Sequence, residues 1–172
     1  PSPKVIATAS PRRRAQLKRI FPDAEWAQIR GNVGTRLGKI CGGLADATML
    51  SAAGLDRLGI NSFEGLKFER LDFSRCVPAV GQGVIAIECR VADAPFFGQF
   101  SHRPTALAVR LEREFLKSLG GGCQAAFGAN FDGGIFRIFH EKTSYAEYDF
   151  TKLSSFEEML EKVREIALGI LK

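Results

Sequence analysis

The chain reads as an α/β fold built around a mostly parallel sheet and followed by a small α+β unit. Three observations predict this. Strand-like and helix-like segments alternate through the first sixty residues, with a cap or turn between them. Two apolar runs flank Asp132-Gly133-Gly134, a hairpin signal. The final segment carries a capping pattern and then apolar residues at helical spacing.

In chain order, "KVIATA" is a short buried strand. Ser10 follows as an N-cap and Pro11 as the first helical residue, so the helix "PRRRAQLKRI" opens with its amides free to meet an anion. "EWAQI" is a second strand, "RGNVG" a turn, and "TRLGKICGGL" a helix with Thr35 near its N-cap. "DATMLSAAGLDRLG" continues as strand, small-residue turn and short helix. Such alternation places ligands at the strand-to-helix turns. Further on, "FSHRPTALAVRLEREFLKSLG" predicts a helix with Leu107, Leu111, Phe115 and Leu119 on one face and Gly120 as its stop. "AAFGANFDGGIFRIFH" predicts the hairpin, and "SYAEYDF" one more strand. In "SSFEEMLEKVREIALGILK", Ser155 and Glu158 form the capping pair, and Phe156, Met159, Leu160, Val163, Ala167 and Ile170 share a face.

The 172 residues, 45% hydrophobic and 25% charged, are enough to bury the core of one ordinary domain or two small ones. No apolar run approaches the ~18 residues of a membrane span, and "PSPKVIATAS" lacks the order of a signal peptide. A soluble chain with no membrane partner is expected. It starts without methionine, so the reading expects a processed product or part of a longer protein. Cys41, Cys76, Cys89 and Cys123 show no C-x-x-C spacing, and only His102 and His140 are available to join them, so no metal site is expected. Reduced thiols in the cytoplasm are expected instead. Cys41, Cys76 and Cys89 have apolar or strand-like neighbours and read as inert. Cys123 follows three glycines in "SLGGGCQAAFGAN", an approach poor in side chains.

Charge is unevenly spread. Residues 1–57 hold ten Lys/Arg against four acids, a net +6, and the remainder nets −1. Arg12 and Arg13 sit in the first turn of one helix, Arg30 and Arg36 bracket the turn into the next, and Arg57 lies in the third. A DNA-reading helix spaces its basic residues along one continuous face, whereas these gather where several elements begin, which favours a concave pocket for a small polyanion over nucleic acid. Consecutive arginines at a helix start oppose its macrodipole by ~0.3–1 kcal/mol per charge, a cost that a bound anion offsets. Arg14 has the weakest claim to the group, since it is free to point to water.

The segments "TASPRRRAQL", "IRGNVGTRL", "AAGLDRLG", "PAVGQGVIAIECR" and "GGGCQAAFGA" resemble, in order and approximate spacing, those of the porphobilinogen deaminase (hydroxymethylbilane synthase) family. The resemblance runs from about residue 4 to 131 and more loosely to the end. It implies a partial periplasmic-binding-protein-like parallel-sheet domain over 1–80, a crossover strand of an absent N-terminal domain over 81–98, and a small α+β C-terminal domain over 99–172. It implies a transferase that condenses four porphobilinogen units into a linear tetrapyrrole on a dipyrromethane cofactor. Cys123 would hold that cofactor through a thioether, a bond that a thiolate forms readily with an electrophilic carbon. Ser10, Arg12 and Arg13 would bind its carboxylates. Arg30, Arg36, Arg57 and Gln82 would bind substrate and the growing polypyrrole, each ring bringing an acetate and a propionate suited to guanidinium forks. Gly81 and Gly83 fit a hinge.

The chain also departs from the family. Pro11 stands where the family has leucine, and Ala9 where it has serine. No K-D-V-P-like string occurs, so the family's catalytic aspartate has no counterpart here. The implied expectation is a chain that binds better than it catalyses, whose N-terminal part is cleaved, supplied by another chain or lost. The competing expectation is a non-catalytic polyanion- or tetrapyrrole-binding remnant.

Overall fold

The computed structural model describes residues 2–120 and 126–172. Three short strands, β1 (Val5–Ala7), β2 (Glu25–Ala27) and β3 (Ala47–Thr48), form a parallel sheet in the order β2-β1-β3. Ile6 lies in register with Trp26 on one side and Ala47 on the other. Parallel neighbours need crossovers, and these are α1 (Pro11–Ile20) and α2 (Val33–Cys41), with α3 (Ala52–Arg57) following β3. Successive strand residues point to opposite faces. Ile6 therefore packs with Leu17 and Ala24 under α1, while Ala7 packs with Ile29, Ile40 and Ala45 under α2.

The helix starts follow local chemistry. The Ser10 hydroxyl accepts the Arg13 N–H at 3.4 Å, with Pro11 in the first turn. For α2 the cap is Asn32, not Thr35. Its Oδ1 accepts the Thr35 N–H at 2.8 Å, so Thr35 is the capped residue rather than the cap.

The second sheet is antiparallel, in the order β4 (Phe127–Asp132), β5 (Ile135–His140) and β6 (Ser144–Asp149). The two-residue turn Gly133-Gly134 has φ of 57° and 81°, both in the left-handed region that a tight hairpin of this kind requires. One face of the sheet packs on α5 (Arg103–Ser118) and α6 (Phe156–Leu171), burying Leu111, Phe115, Phe136, Ile138, Phe150 and Val163. Ser155 caps α6 through the Glu158 N–H at 3.1 Å, and the Glu158 carboxylate reaches back to the Ser154 N–H at 2.8 Å.

The other face of β4 and β5 meets the parallel-sheet region, with Phe139 and Ala126 against Val77. Gly128 makes this approach possible, because a Cβ there would lie 2.5 Å from the Pro78 carbonyl oxygen and 2.9 Å from that of Val77.

Residues 81–98, expected as a strand completing the sheet of another domain, form no strand among the described residues. Residues 84–90 join no ladder, and a 3-10 turn (Val91–Asp93) and the short helix α4 (Ala94–Gly98) follow. Ile85 and Val91 are 74% and 92% exposed. A strand exists only where another offers hydrogen-bonding groups, and no edge among the described residues reaches this run. Among the described residues no helix is long and apolar enough to cross a membrane.

Candidate anion-binding site

The arginines collect where β1 and β3 end and α1 and α2 begin. Arg12 projects from the first turn of α1 and donates from Nη1 to the Val77 carbonyl at 2.6 Å and from Nη2 to Gln82 Oε1 at 3.4 Å. Arg13 turns the other way and donates from Nη1 to the Met49 carbonyl, just beyond β3, at 2.6 Å. Arg36, on α2, is held by its Nε against the Gly31 carbonyl at 2.7 Å. Each guanidinium has five N–H groups, so these contacts orient it and leave donors over.

The electrostatics of the cluster are unbalanced. The Arg13 pKa is pushed down, first by burial and then by the positive charge of Arg12, with Arg36 adding to it and Cys76 opposing. Arg12 is pushed down by burial as well. Both stay charged near neutrality; burial is the larger cost for each, and for Arg13 the neighbouring cations add to it. Among the described residues the ion pairs are Arg70–Asp56, Arg75–Glu69, Arg137–Glu147, Lys162–Glu165 and Arg164–Glu114. None involves Arg12, Arg13, Arg30, Arg36 or Arg57.

The remaining candidates fall around this cluster. Ser10 spends its hydroxyl on the helix cap. Gln82 is exposed, and its Oε1 also receives the Ala79 N–H at 3.5 Å. Arg57 donates to the Gly83 carbonyl, so Arg12 and Arg57 grip the same turn from two sides. Gly81 and Gly83 have φ of 67° and 89°, conformations that other residues resist. Arg30 is exposed and offers its backbone carbonyl to Lys39 Nζ at 3.1 Å; its guanidinium makes no hydrogen bond among the described residues. Cys123 lies outside the described residues.

One hollow of about 390 Å³ lies beside Lys4 and Phe21, and another of about 530 Å³ beside Arg113 and Phe156; neither is lined by Arg12, Arg13, Arg30, Arg36 or Arg57. Among the described residues no group of three His, Cys, Asp or Glu is arranged to hold a metal.

Three residues near the site escape sequence reasoning. Cys76 lies beside Arg12 Nη1 at 3.9 Å and Met49 Sδ at 3.6 Å, and burial pushes its thiol up. Gln16 is buried with both ends of its amide on the Val77 backbone. Glu112, on α5, is buried and accepts the N–H groups of Gly81 at 2.7 Å and Phe131 at 3.0 Å. Only the last leaves a trace in the sequence, as an acid beside the apolar stripe of its helix.

Fold and site together define a mixed α/β protein with guanidinium groups near the carboxyl ends of a parallel sheet that form no ion pair among the described residues. The chain belongs to the porphobilinogen deaminase family: residues 1–97 match the family described as "Porphobilinogen deaminase, dipyromethane cofactor binding domain". It is 44% identical over 127 residues to the porphobilinogen deaminase of Sphingopyxis alaskensis, covering 72% of this chain and 39% of that protein. It is 44% identical over 138 residues to that of Synechococcus sp. RCC307, covering 77% and 43%. Against that of Brevibacillus brevis the identity is 43% over 132 residues, covering 75% and 42%. The chain thus spans about two-fifths of the length of the curated relatives it matches.

Proposed function

We propose that this chain is the substrate-binding and cofactor-bearing part of a hydroxymethylbilane synthase, a cytoplasmic enzyme joining four porphobilinogen units on a dipyrromethane attached to Cys123. The observation that carries this reading is the crowding of Arg12, Arg13 and Arg36 with no carboxylate in an ion pair with any of them. A dipyrromethane bearing an acetate and a propionate on each ring supplies the missing negative charge, and it supplies the free pyrrole carbon to which the first unit is joined, each later unit joining the ring added before it. Arg12, Arg13 and Ser10 are its carboxylate-binding side. Arg30, Arg36, Arg57 and Gln82 receive porphobilinogen and the lengthening polypyrrole.

Loss of ammonia from porphobilinogen leaves positive charge on a ring, which arginines oppose and a carboxylate stabilises. The buried acid of this region, Glu112, is committed to two backbone N–H groups. The residues described here therefore hold and orient anions, and turnover depends on an acid from elsewhere. In this reading 1–80 is a partial periplasmic-binding-protein-like domain, 81–98 the crossover and 99–172 the C-terminal domain. The exposed run Val84, Ile85 and Ile87 then pairs with a sheet of the family's N-terminal domain, on this polypeptide or another.

Chain produced in porphobilinogen-making cells is expected to carry one dipyrromethane by intact mass and to colour with Ehrlich's reagent. A Cys123→Ser chain is expected to do neither. A bare wild-type thiol contradicts the proposal. The second reading, a non-catalytic polyanion-binding remnant, is favoured by the lack of an acid beside the arginines. It predicts no turnover even when the family's N-terminal domain is supplied, whereas the transferase gains activity.

A further inference from the structure

Val77 is fully buried, and both polar groups of its backbone are taken by α1. Gln16 Oε1 accepts the Val77 N–H at 2.7 Å, and Gln16 Nε2 donates to the Val77 carbonyl at 3.0 Å. The same carbonyl accepts Arg12 Nη1 at 2.6 Å. Arg12 and Gln16 stand four residues apart, on one face of the helix, so a single helical face grips one residue's backbone through an amide and a guanidinium. A carbonyl oxygen has two lone pairs. With Gln16 on one, Arg12 is confined to the other, which fixes the plane from which its remaining N–H groups project. Gln16 itself, 2% exposed, has no route to a ligand.

We propose that Gln16 is a positioning residue of the arginine site, aiming Arg12 through the Val77 carbonyl. This rests on the reading of Arg12 as a carboxylate-binding residue. It assigns Gln16 a part in affinity that burial alone does not give it. Replacing the amide with an apolar side chain removes the reference for the guanidinium and leaves the buried Val77 N–H without its partner.

The test uses the full chain with arginine labelled in ¹³C and ¹⁵N, with Arg12→Lys assigning the Arg12 signals. In the wild type, the hydrogen bond to Val77 slows rotation of the Arg12 guanidinium and separates its Nη resonances. In Gln16→Leu, and in Gln16→Glu, which keeps the volume and the acceptor but loses the donor, those resonances are expected to merge. Affinity of the cofactor-free chain for free dipyrromethane carboxylate is expected to fall about tenfold, the scale of one hydrogen bond. Val163→Ala, a core substitution remote from the site, is expected to lower stability while leaving both readouts as in the wild type.

Unchanged Arg12 signals and affinity in the Gln16 variants overturn the proposal. So does an equal change in Val163→Ala, or a Gln16→Glu chain that cannot fold, since either makes the role merely structural. If the cofactor-free wild-type chain does not bind the free dipyrromethane yet the Arg12 signals still depend on Gln16, the positioning role stands and the ligand reading falls.

Discussion

The two halves of this molecule spend their residues differently. The antiparallel region has six-residue strands, two sixteen-residue helices and one continuous core in which Phe136 contacts both Phe115 and Phe150. Its charges find partners, as in Arg164 Nε to Glu114 at 2.6 Å. The parallel region has strands of two or three residues and small separate apolar clusters; Arg70 and Arg75 pair with acids, but Arg12, Arg13 and Arg36 crowd together with no ion-pair partner among the described residues. This half keeps like charges close together, as binding sites commonly do at a cost in stability.

The contrast is broken most directly in the well-packed half. Phe136→Ala is expected to lower unfolding free energy by about 3–5 kcal/mol, read by denaturant titration, because it removes a fully buried ring from between two others. A loss below about 1 kcal/mol would mean this core is not the principal support of the fold.

The seam between the halves comes next. Gly128→Ala drives a Cβ into the Pro78 and Val77 carbonyls and against Arg12 Cδ at 3.2 Å. The expected cost is about 1–3 kcal/mol, with faster amide exchange at Val77 and in β4.

Glu112 crosses the same seam and adds a pH dependence. Burial raises its folded pKa above the unfolded value, against the two backbone N–H groups that pull it down. The folded state therefore takes up this proton first. The group's contribution is fully present below the ordinary glutamate range and is lost as pH rises through the raised value. Glu112→Gln is expected to flatten that slope in stability measured from about pH 4 to 7, while costing about 1–3 kcal/mol near neutrality because an amide NH₂ then faces a backbone N–H.

The smallest change in stability is expected at the arginines. Arg13→Ala is expected to stay within about 1 kcal/mol of the wild type in the absence of ligand, since the lost bond to Met49 is set against relief of like-charge crowding. Its thermal stabilisation by free dipyrromethane is expected to vanish.

The same contrast governs what the sequence discloses. Ser10-Pro11, Gly133-Gly134 and the Ser155 cap announce their elements because each acts within a few residues. The arginines were legible as a group because strand-to-helix turns of a parallel sheet converge on one edge. Gln16, Glu112 and Gly128 were not, because the partners that give them meaning lie 19 to 61 residues away or in the other half of the fold. Residues 84–90 show the converse. Their apolar run suits a strand, but a ladder takes two strands, and local pattern cannot supply the second. Thr35 was displaced as a cap by Asn32, three residues earlier, whose side chain competes well for the same N–H.

The central claim is that unpaired guanidinium groups from α1 and α2 together receive the carboxylates of a sulfur-tethered cofactor. A crystal structure of the cofactor-loaded protein tests it most directly. The account predicts carboxylate oxygens within hydrogen-bond distance of Arg12 and Arg13, with Arg36 closing the group. A cofactor whose carboxylates face solvent or basic residues elsewhere, with these three side chains still turned only to their backbone carbonyls, would contradict it.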